Sequence, residues 1–188
     1  MKNSGELVTA KKGTNIKLFT VTAMFAALVT VATAFIKIPS AFGYAHPGDS
    51  MVYLAACVLP GPYGIIASSI GGALADLIAG YPQWILPTFI IKGLNAVPFV
   101  MCRYFLKKAG KDERIINIPN LLMLLPTTFV TVFGYFIGNG LLYGWGGAIA
   151  ELAMWWLQPS VGAIIFIAMG LGLDALKFKQ KMLPNLLR

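Results

Sequence analysis

The chain has 188 residues, is 57% hydrophobic and only 12% charged, and has a mean hydropathy of +0.74. That is more apolar surface than one soluble core can hide, so a bilayer is the expected solvent. The net charge of +8 does not point to nucleic acid, because the basic residues flank apolar runs and do not interleave with aromatics on a soluble face.

Of 15 Lys and Arg residues, 13 fall in three places. Lys2, Lys11, Lys12 and Lys17 precede the first apolar run, Arg103, Lys107, Lys108, Lys111 and Arg114 surround a mid-chain loop, and Lys177, Lys179, Lys181 and Arg188 follow the last run. Basic residues beside spans stay on the cytoplasmic side, so these three segments are expected on one face, with both termini inside. The basic start, an apolar stretch and Ala32-Thr33-Ala34 resemble a cleaved signal peptide, but the basic lead is long and removal would leave the later basic loops without a partner helix. A retained first helix is expected.

The first span is expected over 16–36, entering from the inside and ending before Pro39. An outer loop over 37–48 carries Tyr44, His46 and Pro47. Asp49 reads as the N-cap of a short helix to Leu59. At 1.5 Å per residue that helix reaches only ~17 Å, against ~30 Å of hydrocarbon, so it must be covered by protein or line a cavity. Pro60-Gly61-Pro62 breaks the chain at the inner side.

The third span, 63–78, carries two rows of compact residues at four-residue spacing: Gly64, Ser68, Gly72, Asp76 and Gly80, and Ala67, Gly71, Ala75 and Ala79. Small residues at this spacing let helices approach closely in lipid, which marks a scaffold helix. Asp76 within it reads as a structural hydrogen-bonding group. The chain turns outside at Gly80-Tyr81-Pro82-Gln83, runs inward over 84–106, and reaches the basic loop 107–117. A fifth span over 118–142, kinked by Pro126, returns outward. The turn Tyr143-Gly144-Trp145-Gly146-Gly147 leads to a sixth span over 148–173 and a basic tail, 174–188. The expectation is an all-α, single-domain membrane bundle of six helices, without a convincing internal repeat.

Charged and amide side chains inside spans are costly, so each is by default a functional candidate. In the fourth span Trp84, Thr88, Lys92 and Asn95 lie within about 80° of arc. Thr128, Thr131, Tyr135 and Asn139 form a similar stripe in the fifth, and Glu151, Trp155 and Gln158 in the sixth. With Tyr44, His46 and Asp49 of the outer loop, they converge in the outer half, while the inner halves of spans four and six are almost wholly apolar. Such a pocket suits a small, flat, polar organic molecule: rings stack on Trp and Tyr while Lys, Glu, Asn and Gln fix the edges. Lys92 and Glu151 either pair with each other or meet the ligand. Trp145 and Tyr143 fit an interfacial aromatic belt. His46 has no partner ligands for a metal, and Cys57 and Cys102 read as buried small hydrophobes.

No Ser/His/Asp set, metal-ligand pair or His-Glu-x-x-His motif supports catalysis, and Gly110-Lys111 lacks the preceding glycine of an ATP-binding phosphate loop. Without an inverted repeat the chain lacks the usual apparatus of alternating access, so transport needs a partner. A membrane enzyme or a self-sufficient channel or carrier are the rival readings; the first predicts a changed ligand, the second flux from this chain alone.

Across essentially its whole length the chain resembles the substrate-binding S components of energy-coupling factor (ECF) transporters, which take up vitamins in prokaryotes. The most similar stretches are Leu59-Pro60-Gly61-Pro62-Tyr63-Gly64 through Gly72-Ala73-Leu74-Ala75-Asp76-Leu77, and Pro87-Thr88-Phe89-Ile90-Ile91-Lys92-Gly93-Leu94. The family's Ala-x-x-x-Ala signature matches Ala23 and Ala27. The resemblance implies a transmembrane coupling protein docked at Ala23 and Ala27 and two cytoplasmic ABC-type ATPases. It implies no cofactor in this chain, ATP and Mg being used by the ATPases. It also implies a multi-pass location in the prokaryotic cell membrane, with the ligand under the outer loop. The likeness is greatest to components for hydroxymethylpyrimidine or vitamin B6-type compounds, and the same groups would also suit niacin, pantothenate or another vitamin.

Overall fold

The computed structural model describes residues 15–36, 38–39 and 44–186; Lys2, Lys11, Lys12, Lys37 and Arg188 of the expected basic and loop segments lie outside them. The chain is mostly helical. Helix α1 (Ile16–Ala34) starts at Asn15, whose Oδ1 accepts from the Leu18 amide at 3.1 Å. Asparagine is a favoured N-cap because it satisfies one of the free amides of the first turn. Thr22 and Thr30 return their hydroxyls to the carbonyls of Leu18 (2.7 Å) and Ala26 (2.9 Å), and Thr30 also reaches Gly71 O at 3.0 Å.

After α1 the chain forms a two-residue antiparallel pair, β1 (Ile38–Pro39) with β2 (Tyr44–Ala45), an addition to the all-α expectation. Helix α2 (Asp49–Val58) follows, then α3 (Tyr63–Ala79), which ends on Gly80 at φ 84°, a left-handed position that glycine adopts without Cβ strain. A 3-10 turn over Pro82–Trp84 leads into α4 (Ile85–Lys108).

The fifth expected span is divided into α5 (Ile118–Leu122) and α6 (Leu124–Tyr143). The break at Met123 is where Pro126 acts: its nitrogen donates nothing to the Leu122 carbonyl, and its ring crowds that oxygen. The sixth is divided at Glu151 into α7 (Trp145–Ala150) and α8 (Leu152–Ala175), and α9 (Phe178–Leu186) follows within the basic tail. Four helical stretches, 16–34, 82–108, 118–143 and 152–175, are long and apolar enough to cross a membrane; α2 and α3 are apolar but shorter. Large apolar side chains cover the outside, among them Phe19, Leu86, Leu141 and Ile164.

The helices neighbour one another in the order α1, α3, α4, α6, α8, and α2 touches α1, α3, α4 and α8. Helix α2 is therefore the axis of the bundle: nine of its ten residues are buried. The expected cover for a short helix is protein, and this is what surrounds it. Both small-residue rows of α3 are used. A Cβ on Gly71 would come within 2.6 Å of Ala26 O on α1, one on Gly72 within 2.7 Å of Lys92 Cγ on α4, and one on Gly64 within 2.7 Å of the Ala56 Cα on α2.

At the end carrying the 109–117 loop, Asp174 accepts from the amides of Ile115 (2.7 Å) and Ile116 (2.8 Å). Asp112 joins Arg103 Nε (3.0 Å) to Lys179 of α9. At the other end α2 begins under the β1–β2 loop. Asp49 is not the cap expected from sequence: Gly48 holds that position, and a Cβ there would lie 2.0 Å from Thr33 Oγ1. Asp49 is the first helical residue, and its carboxylate points into the bundle to meet side chains.

Candidate ligand site beneath the outer loop

The 3-10 turn that opens α4, and helices α6 and α8, bring one aromatic residue each to a common point. The rings of Trp84 and Tyr135 lie 5.6 Å apart by centroid and those of Trp84 and Trp155 6.2 Å. Tyr135 and Trp155 stack at 5.1 Å with 15° between planes. Offset stacking of this kind adds about 0.5–1.5 kcal/mol per pair beyond burial. Tyr44 and His46 close the cluster from the loop, and Asp76 and Thr88 add polar groups from α3 and α4. These seven side chains line a cavity of about 20 Å³, room for about one water.

The loop is fastened by the site itself. Tyr44 donates its hydroxyl to Asp76 Oδ1 at 2.8 Å and rests against His46 and Tyr81. The Gly48 amide donates to His46 Nδ1 at 3.1 Å, so that nitrogen is an acceptor and the ring is neutral. Burial, assisted by the Lys92 charge, holds the His46 pKa well below its ordinary 6.5. Burial and the Asp76 carboxylate push the Tyr44 hydroxyl well above its usual value, so it remains a donor.

Beside the aromatics lies a fully buried ion pair, Lys92 with Asp49. Gln158 Nε2 donates to the other Asp49 oxygen at 3.1 Å, tying α8 to α2 and α4. Lys92 Nζ also sits 5.4 Å from the centre of the Tyr135 ring. Lys92 is therefore neutralised by Asp49, not by Glu151; Glu151 is buried at the α7–α8 junction. Tyr135 reaches Thr88 at 3.5 Å, and Asn95 Nδ2 donates to Thr131 Oγ1 at 2.8 Å. Several fully buried polar atoms have no hydrogen-bond partner among the described residues: Trp155 Nε1, Asn95 Oδ1 and both side-chain polar atoms of Asn139. Unmet buried groups are rare unless something else completes them.

Of the sequence candidates, Tyr44, His46, Trp84, Thr88, Tyr135 and Trp155 meet at the cavity. Asp49, Lys92 and Gln158 form the adjoining charged cluster, and Asn95, Asn139 and Glu151 are buried but do not line the cavity. Sequence reasoning gave Asp76 a structural hydrogen bond, which it makes to Tyr44, but missed that it also faces the cavity; a carboxylate inside a span was the available signal. Thr128, placed on the α6 stripe, is only half-buried and returns its hydroxyl to Leu124 O at 2.7 Å, while Thr127 takes the buried face. Among the described residues no group of His, Cys, Asp and Glu is placed to hold a metal. Ala23 and Ala27 lie on the exposed face of α1, away from the site.

A family profile described as "ECF-type riboflavin transporter, S component" matches residues 13–175. An uncharacterised protein of Pyrococcus woesei is 41% identical over 140 residues, covering 73% of this chain and 88% of that protein. The thiamine precursor transporter HmpT of Lactococcus lactis subsp. cremoris is 30% identical over 154 residues, covering 80% of this chain and 84% of HmpT. With these matches and a bundle of apolar helices around a buried aromatic site, the chain belongs to the S-component family of ECF-type vitamin transporters, a membrane transport component and not an enzyme.

Proposed function

We propose that this chain captures a small heteroaromatic vitamin or precursor, of the hydroxymethylpyrimidine or vitamin B6 kind, and passes it inward when a coupling protein and two ATPases act on it. The observation that carries this reading is the aromatic cluster of Trp84, Tyr135 and Trp155, edged by Asp76, Thr88 and the tethered loop residues Tyr44 and His46. A planar ring replaces the rings' contacts with one another, and the polar rim takes its hydroxymethyl and amino groups. The similarity to HmpT supports the pyrimidine class.

Asp49, Lys92, Asn95, Asn139, Glu151 and Gln158 form the polar surround of that ligand. The family profile's own description names riboflavin, and that is the second reading. The likeness to HmpT is the ground for preferring one ring over a three-ring flavin.

In this reading the protein crosses the membrane six times, α2 and α3 being the two shorter passages, with the loop 107–117 and both termini in the cytoplasm. Ala23 and Ala27 give the coupling protein a flat apolar face on α1. Cysteines placed at Gln83 and Lys111 should be labelled by an impermeant thiol reagent from opposite sides; labelling from one side overturns the orientation.

Tryptophan fluorescence of the purified protein, titrated with pyrimidine, B6, riboflavin, niacin and pantothenate compounds, tests the ligand. Saturable quenching by hydroxymethylpyrimidine or a B6 compound is expected. Quenching by another vitamin reassigns the substrate, and silence across the panel from folded protein removes the proposed site. In liposomes the chain alone should bind without flux until the coupling protein, the ATPases and ATP are present. Flux from the chain alone would establish the self-sufficient carrier instead.

A further inference from the structure

At the end of the bundle remote from the aromatic site, a second and larger cavity of about 670 Å³ opens between the α2–α3 break and the last turns of α4. Its lining is Leu59, Pro60 and Gly61 on one side and Val100, Arg103, Tyr104, Lys107 and Lys108 on the other. Three cations line it and no acidic side chain does.

The wall is built, not incidental. Pro60 ends α2's path, and Gly61 (φ 55°) turns the backbone, leaving the buried Leu59 carbonyl beyond the end of the helix. Arg103 Nη1 donates to that carbonyl and Nε to Asp112. Arg103 is 94% buried, is held in place by these two bonds, and lines the cavity. Lys107 and Lys108 are exposed at the rim, one helical turn beyond Arg103, and Tyr104, 66% exposed, stands beside them. The rest of the lining is apolar. A fixed guanidinium at the floor, two exposed ammonium groups at the mouth and an apolar wall suit a phosphate ester carrying hydrocarbon. Basic pockets between helices at the cytoplasmic side of a membrane protein have this chemistry.

We propose that this cavity is a binding site for an anionic phospholipid of the inner leaflet. The phosphate lies between Arg103 and the two lysines, and an acyl chain runs along Leu59, Val100 and Tyr104. The leaflet follows from the orientation proposed above; the lipid contact itself depends only on the cavity.

The test uses the full-length protein in detergent–lipid micelles and spin-labelled phosphatidylglycerol or phosphatidylcholine, reading the immobilised lipid fraction. At least a fivefold preference for phosphatidylglycerol is expected, falling to near parity in Lys107→Gln/Lys108→Gln. The control pair Lys177→Gln/Lys181→Gln, equal in charge but outside the cavity, should retain it. Vitamin quenching measured on the same samples reports folding and is expected to be unchanged, so failure here is distinguishable from failure of the substrate reading. Equal binding of the two lipids overturns the proposal, as does an equal loss in both variant pairs, which would assign the preference to diffuse charge. Displacement of the labelled lipid by millimolar inorganic phosphate would assign the site to a soluble anion and overturn the lipid reading.

Discussion

Removing one member of the Lys92–Asp49 pair should be far more damaging than removing both. Both side chains are fully buried, and among the described residues the lysine has no other carboxylate within ion-pairing range. Lys92→Met leaves a carboxylate with only Gln158 to bind it. Breaking a buried pair on one side costs about 3–5 kcal/mol, because the surviving charge stays out of water. At about 2–4 °C per kcal/mol for a chain of this size, the melting temperature should fall by roughly 6–20 °C. Asp49→Asn leaves the ammonium facing a neutral amide and the Tyr135 ring, and should cost a similar amount. The double variant Asp49→Asn/Lys92→Met removes both charges, and most of the stability should return. Thermal unfolding of the four proteins in one detergent gives the coupling as a double-mutant cycle. A coupling below about 0.5 kcal/mol would refute the claim that these charges depend on each other.

Trp155→Ala should weaken vitamin binding by at least about fivefold, since it removes a stacking surface worth roughly 1–3 kcal/mol with its burial; unchanged affinity by isothermal titration would empty the aromatic site. Ala23→Trp should leave ligand quenching intact and abolish co-purification with the coupling protein, because a large ring on the exposed face of α1 prevents close approach; normal assembly would refute the docking face. Acid should release the loop. His46 is neutral when the loop is closed and titrates near 6.5 when it opens, so the open form binds more protons below that pH. Closure is at full strength above about 6.5 and weakens as pH falls, by up to about tenfold per pH unit in apparent affinity. The affinity lost between pH 7.5 and 5.5 should be absent in His46→Gln, and an equal loss in that variant would assign the effect to the ligand.

Much of this architecture was legible in the chain. The clustered cations marked helix ends, and the four-residue rows of α3 announced the close approaches that Gly64, Gly71 and Gly72 make. The stripes on α4 and α8 predicted that Trp84, Thr88 and Trp155 would converge, since helical periodicity fixes which side chains share a face. Pairing across the bundle was less legible. Lys92 and Asp49 are 43 residues apart, and an aspartate before an apolar run reads as a cap when its distant partner is not visible. Helical spacing alone offers Glu151 as a partner for Lys92, because both lie on polar stripes; the break between α7 and α8 sets Glu151 at a helix junction instead. On α6, Thr127 and Thr128 stand four and three residues before Thr131; the buried face follows the four-residue row Thr127, Thr131, Tyr135 and Asn139, and Thr128 lies about 100° off Thr127.

The placement of α2 at the axis has a consequence for how the protein is made. Ten residues reach only about 15 Å, and a helix opening with a buried aspartate has no stable residence in lipid on its own. Segment 49–58 leaves the ribosome before the partners of its carboxylate, Lys92 on α4 and Gln158 on α8. Membrane insertion is therefore not sequential for this chain: α2 must wait in water or at the interface until helices synthesised later enclose it. Cys57, with no exposed surface in the finished bundle, is a natural reporter of that wait. In a Cys102→Ser background it should react with a thiol reagent in chains halted before residue 152 and become protected once α8 has entered.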